Sequence, residues 1–258
     1  MKSILLQHLS THPTWESFFN RTDIINILKD IESKIGHHFT PAPEKVLRFA
    51  EMNLDEVKII IIGKDPYPQE GVATGKAFEV NGVSSWFDKG LNNSLKNILK
   101  AIHKHYFKLD KGVSISKVRE DIEYGKFPIL PPNEAFDEWE KQGVLFLNTA
   151  FTCEIGGIEQ AGSHLSIWKL FFEELLVYIV NQNTDIKYFL WGDARKYEKP
   201  LRKENVLEEH LYLSLHPCTN GDKEGYERNS YFLNNPCFRD TGKDIEWVKE
   251  NKNKFERY

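Results

Sequence analysis

A chain of 258 residues, 40% of them hydrophobic, can bury a sizeable core as one large α/β domain or two small ones. Its formal net charge of −4 argues against tight, non-specific duplex binding by the whole surface, while leaving room for a local basic patch. The three cysteines show no Cys-x-x-Cys or Cys/His metal spacing and read as reduced thiols, and no apolar stretch approaches the roughly 20 residues of a membrane span, so a cytoplasmic protein is expected.

In chain order, apolar residues at helical spacing predict a helix over Asp23–Ile35, and a proline at a plausible helix start predicts another over Pro43–Met52. Val57–Gly63 (VKIIIIG) reads as a buried strand. Asn92–Tyr106 is amphipathic, with Leu95, Ile98, Leu99 and Ile102 on one face. Lys108–Pro132 reads as a loop, long enough to be an inserted segment. Val144–Asn148 is a second strand, Ser166–Val180 a core helix, and Ile186–Trp191 and Leu211–Leu215 two further strands. These strand runs are nearly continuous in apolar residues, as strands covered on both faces are. Alternation of strands and helices predicts an α/β fold with a parallel sheet between helices. No repeat, low-complexity tract or linker interrupts the chain, so a single domain over residues 1–258 is expected, its core at roughly 40–230.

Polar, turn-forming residues follow every strand. Lys64-Asp65-Pro66-Tyr67-Pro68 follows the first, Asn148-Thr149 ends the second, Gly192-Asp193 follows the third and His216-Pro217 the fourth. Open parallel sheets bind ligands outside the carboxyl ends of their strands. An Asp, an Asn and a His at three such ends are therefore expected to converge on one crevice. Gly71–Ala77 misses the spacing and the Ser/Thr of a nucleotide-binding P-loop, so a triphosphate site is rejected. On composition alone, Gly63–Phe78 could equally be an ordinary turn built from Asp-Pro and Gly.

Together these segments resemble family-1 uracil-DNA glycosylases. Gly63-Lys64-Asp65-Pro66-Tyr67-Pro68 followed by Gly75-Lys76-Ala77-Phe78 is similar to the family's water-activating loop, Gly-Gln-Asp-Pro-Tyr-His and then Gly-x-x-Phe. Gln142–Thr149 resembles its uracil-reading strand, Tyr188–Gly192 the strand before its glycine-serine loop, and Leu215-His216-Pro217 the start of its histidine loop. The order is right and the span is roughly Val57–Arg228. The resemblance implies a single-domain, three-layer α/β/α fold with a central four-stranded parallel sheet, and a monofunctional DNA glycosylase that removes a flipped pyrimidine, most simply uracil. Cleaving the N-glycosidic bond builds positive charge on the sugar and negative charge on the departing base. Asp65 is the candidate to stabilise the cation and orient water. His216 is the candidate donor to base O2, acting as a neutral imidazole. Phe78 would stack on the base, Asn148 would pair with its N3–H and O4 edge, and Tyr67 would close the C5 side. Lys64, Ser94, Gly192 and Cys218 are the candidate contacts to the DNA backbone. No metal or organic cofactor is implied: His37-His38 and His103/His105 lack carboxylate or cysteine partners at metal spacing.

The chain also departs from that family. Pro68 stands where a histidine is usual. The proline-rich loop has lost its prolines around Asn93-Ser94-Leu95. Asp193 replaces a serine where a phosphate would lie. The wedge leucine after the histidine is absent from Pro217-Cys218-Thr219-Asn220-Gly221, with Tyr226 and Arg228 the nearest substitutes. Lys64 replaces a glutamine. A lysine near the sugar could in principle attack it, yet none is placed as a Schiff-base nucleophile, so base removal without strand cleavage is expected. The basic residues Lys89, Lys96, Lys100, Lys104, Lys108 and Lys111, with His103 and His105, are either a solvated helix face or a phosphate-contacting patch. The altered duplex-gripping parts fit a monomer acting on single-stranded or distorted DNA. They also fit two alternatives: a glycosylase excising a hypermodified cytosine from phage DNA as antiviral defence, or a catalytically idle DNA-binding scaffold.

Overall fold

In the computed structural model, which describes residues 3–219 and 230–249, the apolar runs become strands. In chain order they are β1 (Phe39–Thr40), β2 (Ile59–Gly63), β3 (Val144–Asn148), β4 (Cys153–Glu154), β5 (Lys187–Trp191) and β6 (Leu211–Ser214). β1 and β4 form a small antiparallel pair, and the larger sheet has the order β3-β2-β5-β6. β2 runs parallel to both β3 and β5. It is the most enclosed strand: Ile59, Ile60 and Ile62 are 0% exposed. Each such isoleucine stabilises the fold by about 1.5–3 kcal/mol relative to solvent exposure. A strand buried on both faces can afford no polar residue before its end, which is why the functional residues gather at the exits.

The chain divides into two compact units, Met1–Asn81 with Gly143–Leu211, and Gly82–Gln142 with Tyr212–Tyr258. In the first, the helices Thr22–Ile35 and Leu165–Gln182 pack together beside an aromatic cluster. Phe18 meets Phe171 at 5.7 Å, and Phe151 meets Trp168 at 5.0 Å, both edge-on. In the second, the helix Asn93–Tyr106 is capped by the Asn92 side chain, which accepts the Leu95 N–H at 2.9 Å.

Two expectations from the sequence need correction. Lys108–Pro132 is not all loop, because Ile115–Glu123 is a helix whose Ser114 cap accepts the Lys117 N–H at 3.2 Å. Its inward face carries Val118 and, unusually, Asp121, which sits 2.9 Å from His103 Nε2. The inward polar pair hid the apolar period, and it removes His103 from the basic face. Pro43–Met52 is not one helix. A single turn, Pro43–Val46, breaks at Leu47 and continues as a 3-10 turn, Arg48–Glu51, from which Arg48 donates to the Thr74 carbonyl at 3.2 Å. The helix Pro132–Lys141, with Ala135, Phe136 and Trp139 buried, was not anticipated.

Candidate active site

The exits of β2 and β3 are stitched together. Thr149 N–H donates to the Gly63 carbonyl at 3.0 Å and Ala150 N–H to that of Lys64 at 3.1 Å, while the Thr149 hydroxyl donates to the Lys64 carbonyl at 2.7 Å. Gly63 lies opposite Asn148 in the register. A Cβ at Gly63 would collide with Asn148 Oδ1 and come within 2.7 Å of Ala77 Cβ. Asn148 is 6% exposed. Its amide offers one donor and one acceptor.

Asp65 follows at the β2 exit and is half-buried. Gly162 donates its N–H to Asp65 Oδ2 in a short hydrogen bond. Burial pushes the carboxyl above the ordinary carboxylate range. The Gly162 N–H, the Lys64 charge and the Cys153 thiol draw it back, and Asp193 pushes it up again. Gly162 has φ +87°, in the left-handed region that favours glycine. A Cβ there would meet Leu165 Cδ1 at 3.1 Å and the Lys64 ammonium at 3.3 Å. Lys64 itself is exposed.

Phe78 is one of three non-glycine residues with positive φ among the described residues, at 68°. Such a conformation costs about 1–3 kcal/mol and points to a constrained site. Its ring meets Trp191 edge-on at 5.3 Å. Trp191 ends β5, and Gly192 (φ +60°) opens the turn Gly192–Tyr197, leaving Asp193 exposed. Tyr67 is half-buried between the buried Pro66 and Pro68, and Gly156 N–H pins the Pro68 carbonyl at 2.9 Å.

The first unit thus carries Lys64, Asp65, Tyr67, Phe78, Asn148 and Gly192. Ser94, His216 and Cys218 belong to the second. There, the turn after β6 is anchored by Asn97, a 3%-exposed side chain whose Nδ2 donates to the Pro217 carbonyl at 2.6 Å. His216 is half-buried. Its Nδ1 accepts the Cys218 backbone N–H at 3.2 Å, with Cys218 Sγ 2.9 Å away. A ring nitrogen that accepts an amide N–H carries no proton of its own, so the neutral tautomer places its proton on Nε2. Cys218 is exposed, whereas Ser94 is 8% exposed in the first turn of its helix. Tyr226 and Arg228 lie outside the described residues. Among those residues, no group of three or more His, Cys, Asp or Glu side chains could hold a metal ion, and no helix is long and apolar enough to cross a membrane.

Sequence reasoning missed Gly162, Cys153 and Asn97. Only Asn97 left a signal: an amide set among Leu95, Ile98 and Leu99 on a face that is otherwise apolar.

No protein-family profile matches the chain. Individual proteins do. A uracil-DNA glycosylase of Fusobacterium nucleatum is 26% identical, covering 92% of this chain and 94% of that protein. One from Borrelia turicatae is 27% identical over 84% of each. Among solved structures, the uracil-DNA glycosylase of Nitratifractor salsuginis superposes with a TM-score of 0.67 over 95% of this chain and 96% of that one, at 20% identity. The mimivirus enzyme gives 0.63 over 94% and 84%, at 21% identity. The α/β architecture read from the sequence is the architecture observed. These likenesses and the order of the strand-end motifs support a place in the uracil-DNA glycosylase superfamily.

Proposed function

We propose that this protein is a monofunctional DNA glycosylase that hydrolyses the N-glycosidic bond of a flipped uracil and leaves an abasic site. One observation carries the reading: a buried asparagine, Asn148, ends the strand that pairs with the one leading to a half-buried carboxylate, Asp65. The homologues' own names point the same way.

The chemistry follows from the residues. As the C1′–N1 bond breaks, its electron pair leaves with the base and the sugar becomes oxocarbenium-like. Asp65, ionised, stabilises that cation and takes the proton of the water that adds to C1′. His216, with its proton on Nε2, donates to base O2 and stabilises the leaving anion. Phe78 stacks on the extruded base, Asn148 pairs with N3–H and O4, and Tyr67 closes the C5 edge. Lys64, Gly192 and Cys218 contact the DNA backbone, with Ser94 acting from within its helix. The enzyme works as a monomer and prefers single-stranded or already distorted DNA, where no wedge is needed to hold a base out.

The test is base release from end-labelled oligonucleotides, single- and double-stranded, carrying uracil, cytosine or a glucosylated 5-substituted cytosine, with and without alkali. Alkali-dependent cleavage at uracil, faster on the single strand, is expected. Release of the modified cytosine alone would replace uracil as the substrate. No release from any strand would leave the idle scaffold. Cleavage without alkali would assign a lyase step to Lys64.

A further inference from the structure

The helix Asn93–Tyr106 ends in a cap that glycine normally makes. Lys108 N–H donates to the His105 carbonyl at 3.0 Å and Leu109 N–H to that of Lys104 at 2.9 Å, the paired bonds of a Schellman motif. The residue before Leu109 must then be left-handed, and Lys108 has φ +53°. Glycine takes that conformation without strain and is the usual choice. A lysine there keeps a cation in place against backbone strain.

That cation lines a groove of about 450 Å³, within the range of about 300–1,000 Å³ typical of ligand sites. Leu109, Leu233 and Pro236 line it with half-buried apolar surface, and Lys104, Lys108 and Arg239 bring three positive charges against one lining carboxylate, Asp110. Lys104 donates to the Leu233 carbonyl at 3.1 Å and so ties the two sides together. Arg239 comes from a separate helix, Cys237–Asp240, and its Nε donates to Asp240 at 2.8 Å. The negative end of the long helix's dipole accounts for a cation at Lys104. It calls for neither a left-handed lysine nor Arg239. His105, in the same lining, answers to the field: burial first, then the Arg239 charge and after it that of Lys108, hold its imidazole below its ordinary value, with Asp240 opposing. In a chain of net charge −4, this is a local reversal of sign.

We propose that the groove docks an acidic segment of a partner protein, anchored by one large apolar side chain. Charge and apolar surface together exclude simpler occupants. A lone phosphate has nothing to lay on leucine and proline. A single DNA strand asks for exposed rings on which its bases stack, and Phe238, the phenyl ring of the lining, is 2% exposed. A purely apolar helix would desolvate Lys108 and Arg239 with no countercharge. An acidic segment with an apolar anchor satisfies both surfaces, its charge guiding encounter and its anchor slowing release.

The test is fluorescence anisotropy of the full-length protein with a panel of labelled peptides, runs of Asp and Glu carrying Leu, Phe or Trp at each position in turn. At least one should bind in the micromolar range, and its form with serine at the apolar position should bind at least about tenfold more weakly. Joint Lys108→Glu and Arg239→Glu should weaken the same peptide at least about tenfold. Lys108→Gly guards against loss of fold: it should raise the thermal midpoint, by relieving the left-handed lysine, while weakening the peptide about two- to fivefold. A protein that is more stable yet binds less has not lost binding by unfolding. Labelled oligothymidylate is titrated alongside. Silence from the whole panel, or peptide binding that survives the charge reversal, overturns the proposal. So does DNA binding that the reversal weakens while no peptide binds, which makes the groove a phosphate track.

Discussion

Asp65 is held in two opposed ways, pressed toward neutrality by burial and Asp193 and toward charge by Gly162, Lys64 and Cys153. Asp65→Asn should lower kcat by at least about 100-fold, the scale seen when one preorganised charge-stabilising group is lost. The same variant should be more stable than the parent at pH 7. A carboxyl raised in the folded state binds its proton more tightly there than in the unfolded chain, where its ordinary value is 3.8. Its contribution to stability is complete below that value and is lost as pH rises through the folded value. Denaturation midpoints of the two proteins should therefore diverge at neutral pH and converge in acid, and parallel curves would contradict the assignment. Gly63→Ala tests the neighbouring strand end. The added methyl must displace Asn148 or Ala77, so kcat/KM should drop more than about tenfold, with about 1–3 kcal/mol of stability lost to overpacking. The strand-end positions of Asp65, Asn148 and His216 were legible because a turn that follows an apolar run is local in sequence. Gly162 was not: it reaches Asp65 from 97 positions away, through a backbone N–H that any residue type could supply.

Among the elements, the segment between β3 and β4 is fixed by a buried chain of hydrogen bonds. Trp168 Nε1–H donates to Thr152 Oγ1 at 2.7 Å, which leaves the hydroxyl proton for His164 Nδ1 at 2.9 Å. His164 thus carries its own proton on Nε2, and burial lowers its affinity for a second one. Thr152→Val keeps the shape but strands an indole N–H and an imidazole nitrogen. The expected cost is about 2–4 kcal/mol by chemical denaturation. A loss below about 0.5 kcal/mol would mean that water replaces the hydroxyl. At this scale the sequence spoke clearly for strands and for helices with one apolar face. It failed at Ile115–Glu123, where the inward position of Asp121 is satisfied by His103, a partner from another helix that no local pattern announces.

For the whole molecule, the net charge of −4 sets how DNA is engaged. Of the candidate backbone contacts, Lys64 alone is a cation; Ser94, Gly192 and Cys218 offer neutral donors. Each phosphate neutralised adds about −0.9 to the slope of log affinity against log salt on duplex DNA and about −0.7 on single strands. A shallow slope, between about −1 and −3, is expected from binding measured by anisotropy at increasing salt. A steeper one would enlist the lysines of Asn93–Tyr106, which composition alone left undecided between solvated face and phosphate patch.

The edge-on meeting of Phe78 and Trp191 has an optical consequence. Trp191 is 2% exposed, so its emission is insulated from solvent and answers to its few ring neighbours. A nucleobase laid on Phe78 would bring a quencher within one ring's thickness of that indole. Occupancy of the pocket should then dim the protein's own fluorescence, and stopped-flow mixing could time base extrusion without a label on either partner.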